Sequence, residues 1–397
     1  MVNRMTIAAP RIEIGPVAPV HLRKLEAFAF REDVRTPVAL SFGIMRQRSA
    51  VFVRLEDADG AFGWGEIFAN WPAAGAEHRC RLVVEDIADI FLGNSFAHPS
   101  DLFHLLEART EIRALQCGEW GPFRQAIAGL DIALWDLFAR RAGQPLASFL
   151  NPQSPAHVPA YASGIHPDAA PAEIEKARAQ GFAQFKVKTG FGRPDEAGRI
   201  AELAGGLQTG ERLCVDANQG WDEVQAAAFL RETEALNLAW VEEPIIATAP
   251  EARWQRLSRV SATPLAGGEN IAGHPDFERA QAAGYLSVLQ PDVAKWGGIT
   301  GCHGVARRAI GAGRSYCPHY LGGGIGLAAS AHLLAAAGGP GLLEVDVNPN
   351  RLRQAFGDLP GAMSPRGWDI RAEPGLGIEA LPEELDRYRT CHSQSAA

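Results

Sequence analysis

The sequence predicts an α/β protein: a modified (β/α)7β barrel of the TIM type with an N-terminal α+β capping domain, which the C-terminal segment completes. Three observations indicate this fold. From residue 156 onward, short apolar segments alternate with amphipathic segments of about a dozen residues. Seven of these apolar segments end in a titratable residue, at intervals of 23 to 28 residues. The first 150 residues instead combine strand-like and helix-like patterns without this regular alternation.

The capping domain is expected to span residues 1–155. Two apolar runs flank the turn sequence DADG in SAVFVRLEDADGAFGWGE, which predicts a β-hairpin. Helical periodicity follows in AEHRCRLVVEDIADIFLG and in FRQAIAGLDIALWDLFARRAG, where Arg140 and Arg141 precede Gly143 as at a helix C-terminus. Strands followed by helices indicate an α+β unit.

The barrel is expected to span residues 156–345, and residues 346–397 are expected to pack back on the cap. The last residues, CHSQSAA, have the composition of a mobile tail. The eight predicted barrel strands are HVPAYAS, FAQFKVK, RLCVDA, LAWVEE, PLAGGE, LSVLQPD, RSYCPH and GLLEVD.

Composition limits the possible functions. The chain has 397 residues, of which 47% are hydrophobic and 21% charged, as in a globular protein with a large core. Its net charge of −8 argues against nucleic acid or an anionic membrane as a partner. There is no secretory signal pattern and no apolar stretch of membrane-spanning length. The six cysteines are scattered without a C-x-x-C pair, which predicts reduced thiols in a cytoplasmic protein.

The polar strand ends predict an active site, because catalytic groups of such barrels project from the C-terminal ends of the strands. Seven residues occupy these positions in successive units: Lys188, Asp216, Glu242, Glu269, Asp292, His319 and Glu344.

Three of them, Asp216, Glu242 and Glu269, follow consecutive strands and are expected to converge. Carboxylates packed together stay ionised only if a cation joins them. Ligation by oxygen alone suits a hard metal such as Mg²⁺. The alternative is that each carboxylate is solvated or caps a helix. Glu243, next to Glu242, is expected to point to the opposite face and to be structural.

Two lysines share one face of a predicted strand in FKVKTG, because alternate residues of a strand point the same way. Repulsion between Lys186 and Lys188, together with a nearby metal, would lower the pKa of one of them and make it a usable base. The alternative is a pair of lysines that extend to solvent.

The sixth and seventh strands end in Asp292 and His319, whose side chains could meet. A carboxylate on one ring nitrogen orients the imidazole and leaves the other nitrogen for proton transfer. Glu344, if desolvated, is expected to stay protonated and to donate a hydrogen bond to a developing oxyanion. With a hard cation, this set predicts removal of the proton α to a substrate carboxylate: Lys188 takes the proton and Lys186 neutralises the carboxylate.

The motifs FKVKTG, VDANQGW, VEEP, GGEN, QPDVAKWGGITG, CPHY, LLEVD and GWGE together resemble the enolase superfamily, and within it the mandelate racemase group. The resemblance implies Mg²⁺ on the three carboxylates, and Lys188 and the His319–Asp292 pair as the two acid/base groups. It also implies Lys186 on the substrate carboxylate and Glu344 on the enediolate. An Asp at position 292 marks the racemase group, whereas the muconate-lactonizing group has a lysine there.

The resemblance also implies a homo-oligomer, and it places substrate specificity in two capping loops, TPVALSFGIMRQRS and IFANWP. Two reactions remain open. The favoured one is dehydration of a sugar acid, an aldonate or aldarate, to a 2-keto-3-deoxy acid. The alternative is racemisation or epimerisation of a 2-hydroxy acid.

Three other kinds of function are also possible: dinucleotide binding, non-catalytic metal or carboxylate binding, and hydrolysis. GGGIGLAAS fits a dinucleotide-binding fingerprint, but it lies in the seventh unit of the barrel instead of after the first strand of a nucleotide domain. A non-catalytic metal- or carboxylate-binding barrel would lack a base or a ligand, and none is missing. A hydrolase using the same metal would tolerate substitution of Lys188.

Overall fold

A computed structural model describes residues 11–397 and places an antiparallel sheet packed on helices at the N-terminus. In this sheet β1 pairs with β2, and β2 pairs with β3. The short strand β4 also pairs with β1. The strands are β1 Val20–Leu40, β2 Gly43–Asp57, β3 Phe62–Ile67 and β4 Ser95–Phe96. The helices are α1 Gly75–Leu82, α2 Ala88–Phe91, α3 Ser100–Cys117, α4 Trp120–Arg141 and α5 Leu146–Leu150, with a π-helical turn at Val83–Ile87 between α1 and α2.

The glycines of the GWGE motif allow β3 to lie directly on α4. A Cβ atom on Gly63 would be 2.2 Å from the Ala133 carbonyl oxygen, and one on Gly65 would be 1.9 Å from the Gly129 carbonyl oxygen. Because real Cβ atoms do not approach backbone oxygen so closely, only glycine permits this packing. The motif therefore fixes the strand that carries Glu66.

The barrel follows as an eight-stranded parallel sheet in the order β12-β11-β10-β9-β8-β7-β6-β13, which confirms the predicted fold class. Its strands are β6 Ala160–Ile165, β7 Gln184–Lys188, β8 Arg212–Asp216, β9 Val241–Glu242, β10 Leu265–Gly267, β11 Val288–Leu289, β12 Ser315–Tyr316 and β13 Leu343–Asp346. Its helices are α6 Ala170–Ala179, α7 Glu196–Gly205, α8 Glu223–Glu232, α9 Glu251–Leu257, α10 His274–Ala283, α11 Gly298–Gly311 and α12 Gly324–Ala337.

The two end strands of this sheet, β12 and β13, approach each other without a ladder of hydrogen bonds in the described part of the chain. A Cβ atom on Gly341 would lie 1.8 Å from the Tyr316 carbonyl oxygen. The sheet therefore curls until its ends touch. This brings the C-terminal ends of all eight strands to one rim.

The C-terminal segment contributes to both parts of the molecule. A small sheet joins β14 and β15 to β5, a short strand before the barrel, and β16 extends the cap sheet beside β1. These elements are β5 His157–Val158, α13 Arg351–Gln354, β14 Ala362–Ser364, β15 Gly367–Asp369 and β16 Arg389–Ala396. The domain bounds 1–155, 156–345 and 346–397 stay predictions.

The prediction of a mobile C-terminal tail is wrong. Strand β16 pairs antiparallel with β1, from Lys24 opposite Ala396 to Phe30 opposite Arg389. The strand was missed because its half-buried side chains are small and mostly polar: Cys391, Ser393 and Ser395. No helix in residues 11–397 is long and apolar enough to cross a membrane.

Deleting Cys391–Ala397 should destabilise the protein, because it exposes the edge of β1 and removes most of the β1–β16 ladder. We expect the midpoint of thermal unfolding to fall by about 2 °C for each kcal/mol lost, measured by calorimetry. Gln394→Ser is the matched control, since this exposed residue contributes only its backbone to the ladder. An unchanged midpoint after the deletion would restore the mobile-tail prediction.

Candidate active site

The seven predicted residues lie together at the C-terminal rim of the barrel. Lys188 and Asp216 end β7 and β8 and are opposite each other in the ladder, and Glu242 ends β9 opposite Asp216. Glu344 lies within β13. The other three lie two or three residues past β10, β11 and β12: Glu269, Asp292 and His319. Six of the seven are buried, and the Glu269 side chain is 12% exposed.

Both lysines are held by carboxylates inside the barrel. Lys186 Nζ lies 2.7 Å from Glu242 Oε2 and 2.6 Å from Glu344 Oε1, and Lys188 Nζ lies 2.5 Å from Asp216 Oδ2. Burial acts to lower the pKa of both lysines, but these carboxylates outweigh it and raise the pKa. Without a metal neither lysine has the lowered pKa that the sequence predicts, because each ammonium group has an anionic partner at contact distance; the lowered pKa beside a bound metal stays a prediction.

The three proposed metal ligands also face cations of the chain. Glu242 accepts hydrogen bonds from Lys186 and from Gln290 Nε2 at 2.6 Å, and burial raises its pKa to about 7. Glu269 Oε2 lies 2.9 Å from His319 Nε2 and 3.3 Å from Lys295 Nζ. For this reason no three His, Cys, Asp or Glu side chains in residues 11–397 already surround a point as metal ligands do.

The charges of the rim nevertheless fit a divalent cation. Three lysines and a protonated His319 carry four positive charges against six carboxylates that contact them or lie beside them, so two of the carboxylates must be protonated or balanced by a counter-ion. Buried excess charge of this kind requires protons or a counter-ion. Asn218 Oδ1, beside Asp216, is also buried without a hydrogen-bond partner among the described residues. The lysines are Lys186, Lys188 and Lys295, and the carboxylates, called the carboxylate cluster below, are Asp216, Glu242, Glu243, Glu269, Asp292 and Glu344.

Oxygen donors, and carboxylates in excess of the nearby cations, suit a hard cation such as Mg²⁺ better than a softer metal. The residues present therefore fit the metal that the sequence predicts. The donors would be Asp216, Glu242 and Glu269.

Glu243 adjoins the rest of the cluster through Asn270, and the expectation that it points to the opposite face and is structural stays a prediction. Its backbone φ of 37° breaks the alternation of the strand. Asn270 Nδ2 donates to Glu243 Oε2 at 2.8 Å and to Glu269 Oε1 at 3.1 Å. Burial, and then the charge of Glu269, raises the pKa of Glu243 well above its ordinary value.

The predicted histidine–aspartate pair is present. His319 Nδ1 lies 2.7 Å from Asp292 Oδ2, while Asp292 Oδ1 accepts the backbone N–H of Ala294. Burial lowers the pKa of His319, but Glu269 and Glu344 raise it well above its ordinary value. The second ring nitrogen, expected to be free for proton transfer, faces Glu269 in this structure.

Glu344 is desolvated as expected, but the expectation that it stays protonated is wrong here. Burial raises the pKa of Glu344, but the charges of Lys186 and His319 lower it by more, so the net shift is downward. Glu344 accepts hydrogen bonds from Ser163 Oγ and from the Tyr320 backbone N–H at 2.9 Å. It therefore acts as an ionised acceptor that orients Lys186.

Sequence reasoning missed the role of Glu66 in the cap. Its carboxylate accepts the backbone N–H groups of Gly323 at 2.5 Å and Gly326 at 2.9 Å, at the N-terminus of α12. These are glycines of the fingerprint-like GGGIGLAAS. The chain's own carboxylate thus occupies the place where that motif would bind a dinucleotide phosphate, which argues against the dinucleotide reading. The signal was the acidic residue that ends GWGE.

Both predicted specificity loops reach the barrel rim. In the first, Ser41 Oγ donates to the Asn218 carbonyl oxygen at 2.7 Å. In the second, the Phe68 backbone N–H donates to the Ala294 carbonyl oxygen at 3.1 Å, and Lys295 Nζ lies 5.0 Å from the centre of the Phe68 ring. Lys295 therefore links this loop to Glu269.

Comparison with known proteins agrees with this geometry. A family model described as Enolase C-terminal domain-like matches residues 169–384. A second, Mandelate racemase / muconate lactonizing enzyme, N-terminal domain, matches residues 24–151. Among curated relatives, D-galactarolactone cycloisomerase of Agrobacterium fabrum is 28% identical over 86% of this chain and 92% of that protein. D-galactonate dehydratase of Xanthomonas campestris is 30% identical over 85% of this chain and 90% of that protein.

Solved structures are similar over nearly the whole chain. A mandelate racemase/muconate lactonizing enzyme from Bordetella bronchiseptica is 44% identical, with a TM-score of 0.87, and covers 94% of this chain and 100% of that one. L-Talarate dehydratase from Polaromonas, crystallised with Mg and L-glucarate, is 25% identical, with a TM-score of 0.82, over 96% of this chain and 100% of that one.

Glu66→Gln should weaken the contact between the cap and helix α12 of the barrel and so lower the stability of the protein. At pH 8 the carboxylate accepts two backbone N–H groups, whereas an amide offers one oxygen and turns its NH₂ group toward the other N–H. We expect a loss of about 1–3 kcal/mol in the free energy of unfolding, measured by chemical denaturation. Glu202→Gln, at an exposed position on α7, is the control. Equal stability of the two variants would contradict this role for Glu66.

Proposed function

The chain belongs to the mandelate racemase/muconate lactonizing enzyme family of the enolase superfamily, and on this premise we propose that it dehydrates a sugar acid to a 2-keto-3-deoxy acid. The reaction begins with removal of the proton α to the substrate carboxylate and passes through an enediolate. One observation carries the proposal: Lys188 and the His319–Asp292 pair border the carboxylate cluster from β7 and β12, five positions apart in the eight-stranded sheet.

The binding of the substrate carboxylate is assigned to the metal site and the lysines. When bound, Mg²⁺ would supply Lewis-acid polarisation of that carboxylate, and Asp216, Glu242 and Glu269 are the residues that would hold it. Lys186, fully buried, supplies a fixed positive charge that favours the enediolate, which carries one negative charge more than the substrate carboxylate. Glu344 and Ser163 keep this charge in place.

The proton transfers are assigned to the two groups on opposite sides of the barrel. Lys188 Nζ takes the proton from the carbon next to the carboxylate, which requires that it first gives up its own proton. His319, positively charged and oriented by Asp292, donates a proton to the 3-hydroxyl group, which leaves as water. The enol product then becomes the 2-keto acid.

Support for dehydration comes from proteins similar to this chain. The Xanthomonas relative is a D-galactonate dehydratase, and the Polaromonas structure is an L-talarate dehydratase with Mg and L-glucarate. Both span most of this chain.

The alternative is racemisation or epimerisation of a 2-hydroxy acid. It is favoured by the same pair of acid/base groups, because one can remove the proton and the other can return it to the opposite face. A structure from Streptomyces coelicolor described as a racemase with bound magnesium is 26% identical, with a TM-score of 0.82. In that reaction no water leaves.

A nuclear magnetic resonance screen in D₂O separates the two reactions. Aldonates, aldarates and simple 2-hydroxy acids are each incubated with enzyme and Mg²⁺. Signals of a 2-keto-3-deoxy acid would support dehydration. Exchange of the C2 proton without loss of water would support the racemase alternative. No exchange and no product with any of these acids would contradict the proposed chemistry.

Lys188→Ala should lower turnover by about 10²–10⁴-fold or more, because the base that takes the α-proton is lost. His319→Asn should do the same for product formation. Mg²⁺ binding, measured by calorimetry, should persist in both variants because neither residue is a proposed ligand. Lys176→Ala, at an exposed lysine on α6, is the control and should be as active as the wild type. Full activity of either site variant would contradict its role.

The cytoplasmic location and the homo-oligomeric state stay predictions from the sequence.

A further inference from the structure

Arg48, in the first specificity loop and on β2, is a buried cation with unused donors. Its exposed fraction is 1%, and Nη2 donates to Asp346 Oδ2 at 2.8 Å. Arg48 Nε and Nη1 are buried and have no hydrogen-bond partner among the described residues. Leaving N–H groups of a charged side chain unpaired in the interior is costly, so an acceptor is expected at this point.

The position of Asp346 locates Arg48 relative to the catalytic groups. Asp346 follows Glu344 by two residues on β13, so both side chains point into the barrel. Lys186 holds Glu344 in the layer of the catalytic groups. Two residues along a strand correspond to about 7 Å, so Asp346 and the Arg48 guanidinium lie one layer closer to the cap. The two carboxyl ends of a sugar diacid are separated by a comparable length.

This upper layer has an excess of one positive charge. Asp346 is shared by Arg48 and by Arg353, whose Nη1 lies 3.5 Å from Asp346 Oδ2. Glu32, opposite Arg48 in the β1–β2 ladder, is bound by Arg351 through the backbone N–H and the guanidinium. Three arginines thus face two carboxylates. Arg353 Nη2 donates to the Asn348 carbonyl oxygen, and among the described residues of this group the fully buried side-chain donors without a partner are those of Arg48.

We propose that Arg48 binds the distal carboxylate of a sugar diacid whose other carboxylate lies at the catalytic rim, so that the substrate class is the aldarates. This inference rests on the proposed dehydration of a sugar acid. A carboxylate both accepts the unused N–H groups and neutralises the excess charge, in a charge-assisted pair. The terminal hydroxyl group of an aldonate accepts a hydrogen bond but leaves the charge uncompensated.

The first test uses the wild-type enzyme with matched acids, so it does not depend on the folding of a variant. Initial rates of 2-keto-3-deoxy acid formation are compared for galactarate against D-galactonate and for D-glucarate against D-gluconate, with Mg²⁺. In at least one pair we expect kcat/KM for the diacid to exceed that for the aldonate by about 10- to 100-fold. Aldonates that react as well as or better than their diacids in both pairs would overturn the assignment of Arg48 and leave the dehydratase proposal intact. No turnover of any of these acids, together with no product from any acid of the nuclear magnetic resonance screen, would instead contradict the proposed function, and the assignment with it.

A second test assigns the preference to Arg48. Arg48→Gln should lower kcat/KM for the preferred diacid by about 10- to 100-fold more than for the matched aldonate, mainly through KM. Arg48→Lys should recover part of the loss, since it restores the charge. Arg353→Gln is the matched control, because it removes the other arginine on Asp346, and it should change both acids alike. If Arg48→Gln also lowers both acids alike, Arg48 only stabilises the fold and the proposal is wrong.

Discussion

The central constraint in this molecule is the buried charge at the C-terminal rim of the barrel. Six carboxylates lie around three lysines and one histidine in a largely buried site, and each cation is shared by two or more acids or bound closely to one. Such a cluster is expensive to bury unless its charges are balanced. The strands must therefore hold it rigidly. The imbalance of two charges is what makes the rim receptive to a divalent cation.

The cap depends on the barrel through a second set of polar contacts. Glu66 binds the N-terminus of α12, Arg48 binds Asp346, and Ser41 binds the loop after β8. Each of these residues lies on or next to a cap strand, and each partner lies on the rim or on the loop or helix that follows it. The cap therefore closes the site from above, and its own side chains set the upper boundary of the substrate space. With Arg48 assigned to the substrate as proposed, the same contacts would serve both specificity and closure.

The sequence predicted the parts that depend on periodicity and missed those that depend on contacts between distant segments. Strand alternation and the spacing of the units placed all seven rim residues, since the rim of a parallel barrel follows directly from strand order. The protonation of Lys188 and Glu344 was not predictable, because it depends on which neighbour each side chain touches. Strand β16 was missed because small polar residues carry little strand signal. Glu66 gave no sign of its partner, which is more than two hundred residues away in the chain.

Calorimetric titration of Mg²⁺ into the wild-type protein and into Glu242→Gln tests the central claim most directly. The charge imbalance predicts a single Mg²⁺ bound per chain, with an affinity lowered by about tenfold or more when one carboxylate becomes an amide. Glu232→Gln, at an exposed residue on α8, should bind as the wild type does. Absence of binding by the wild-type protein, or equal affinity in Glu242→Gln, would contradict the account.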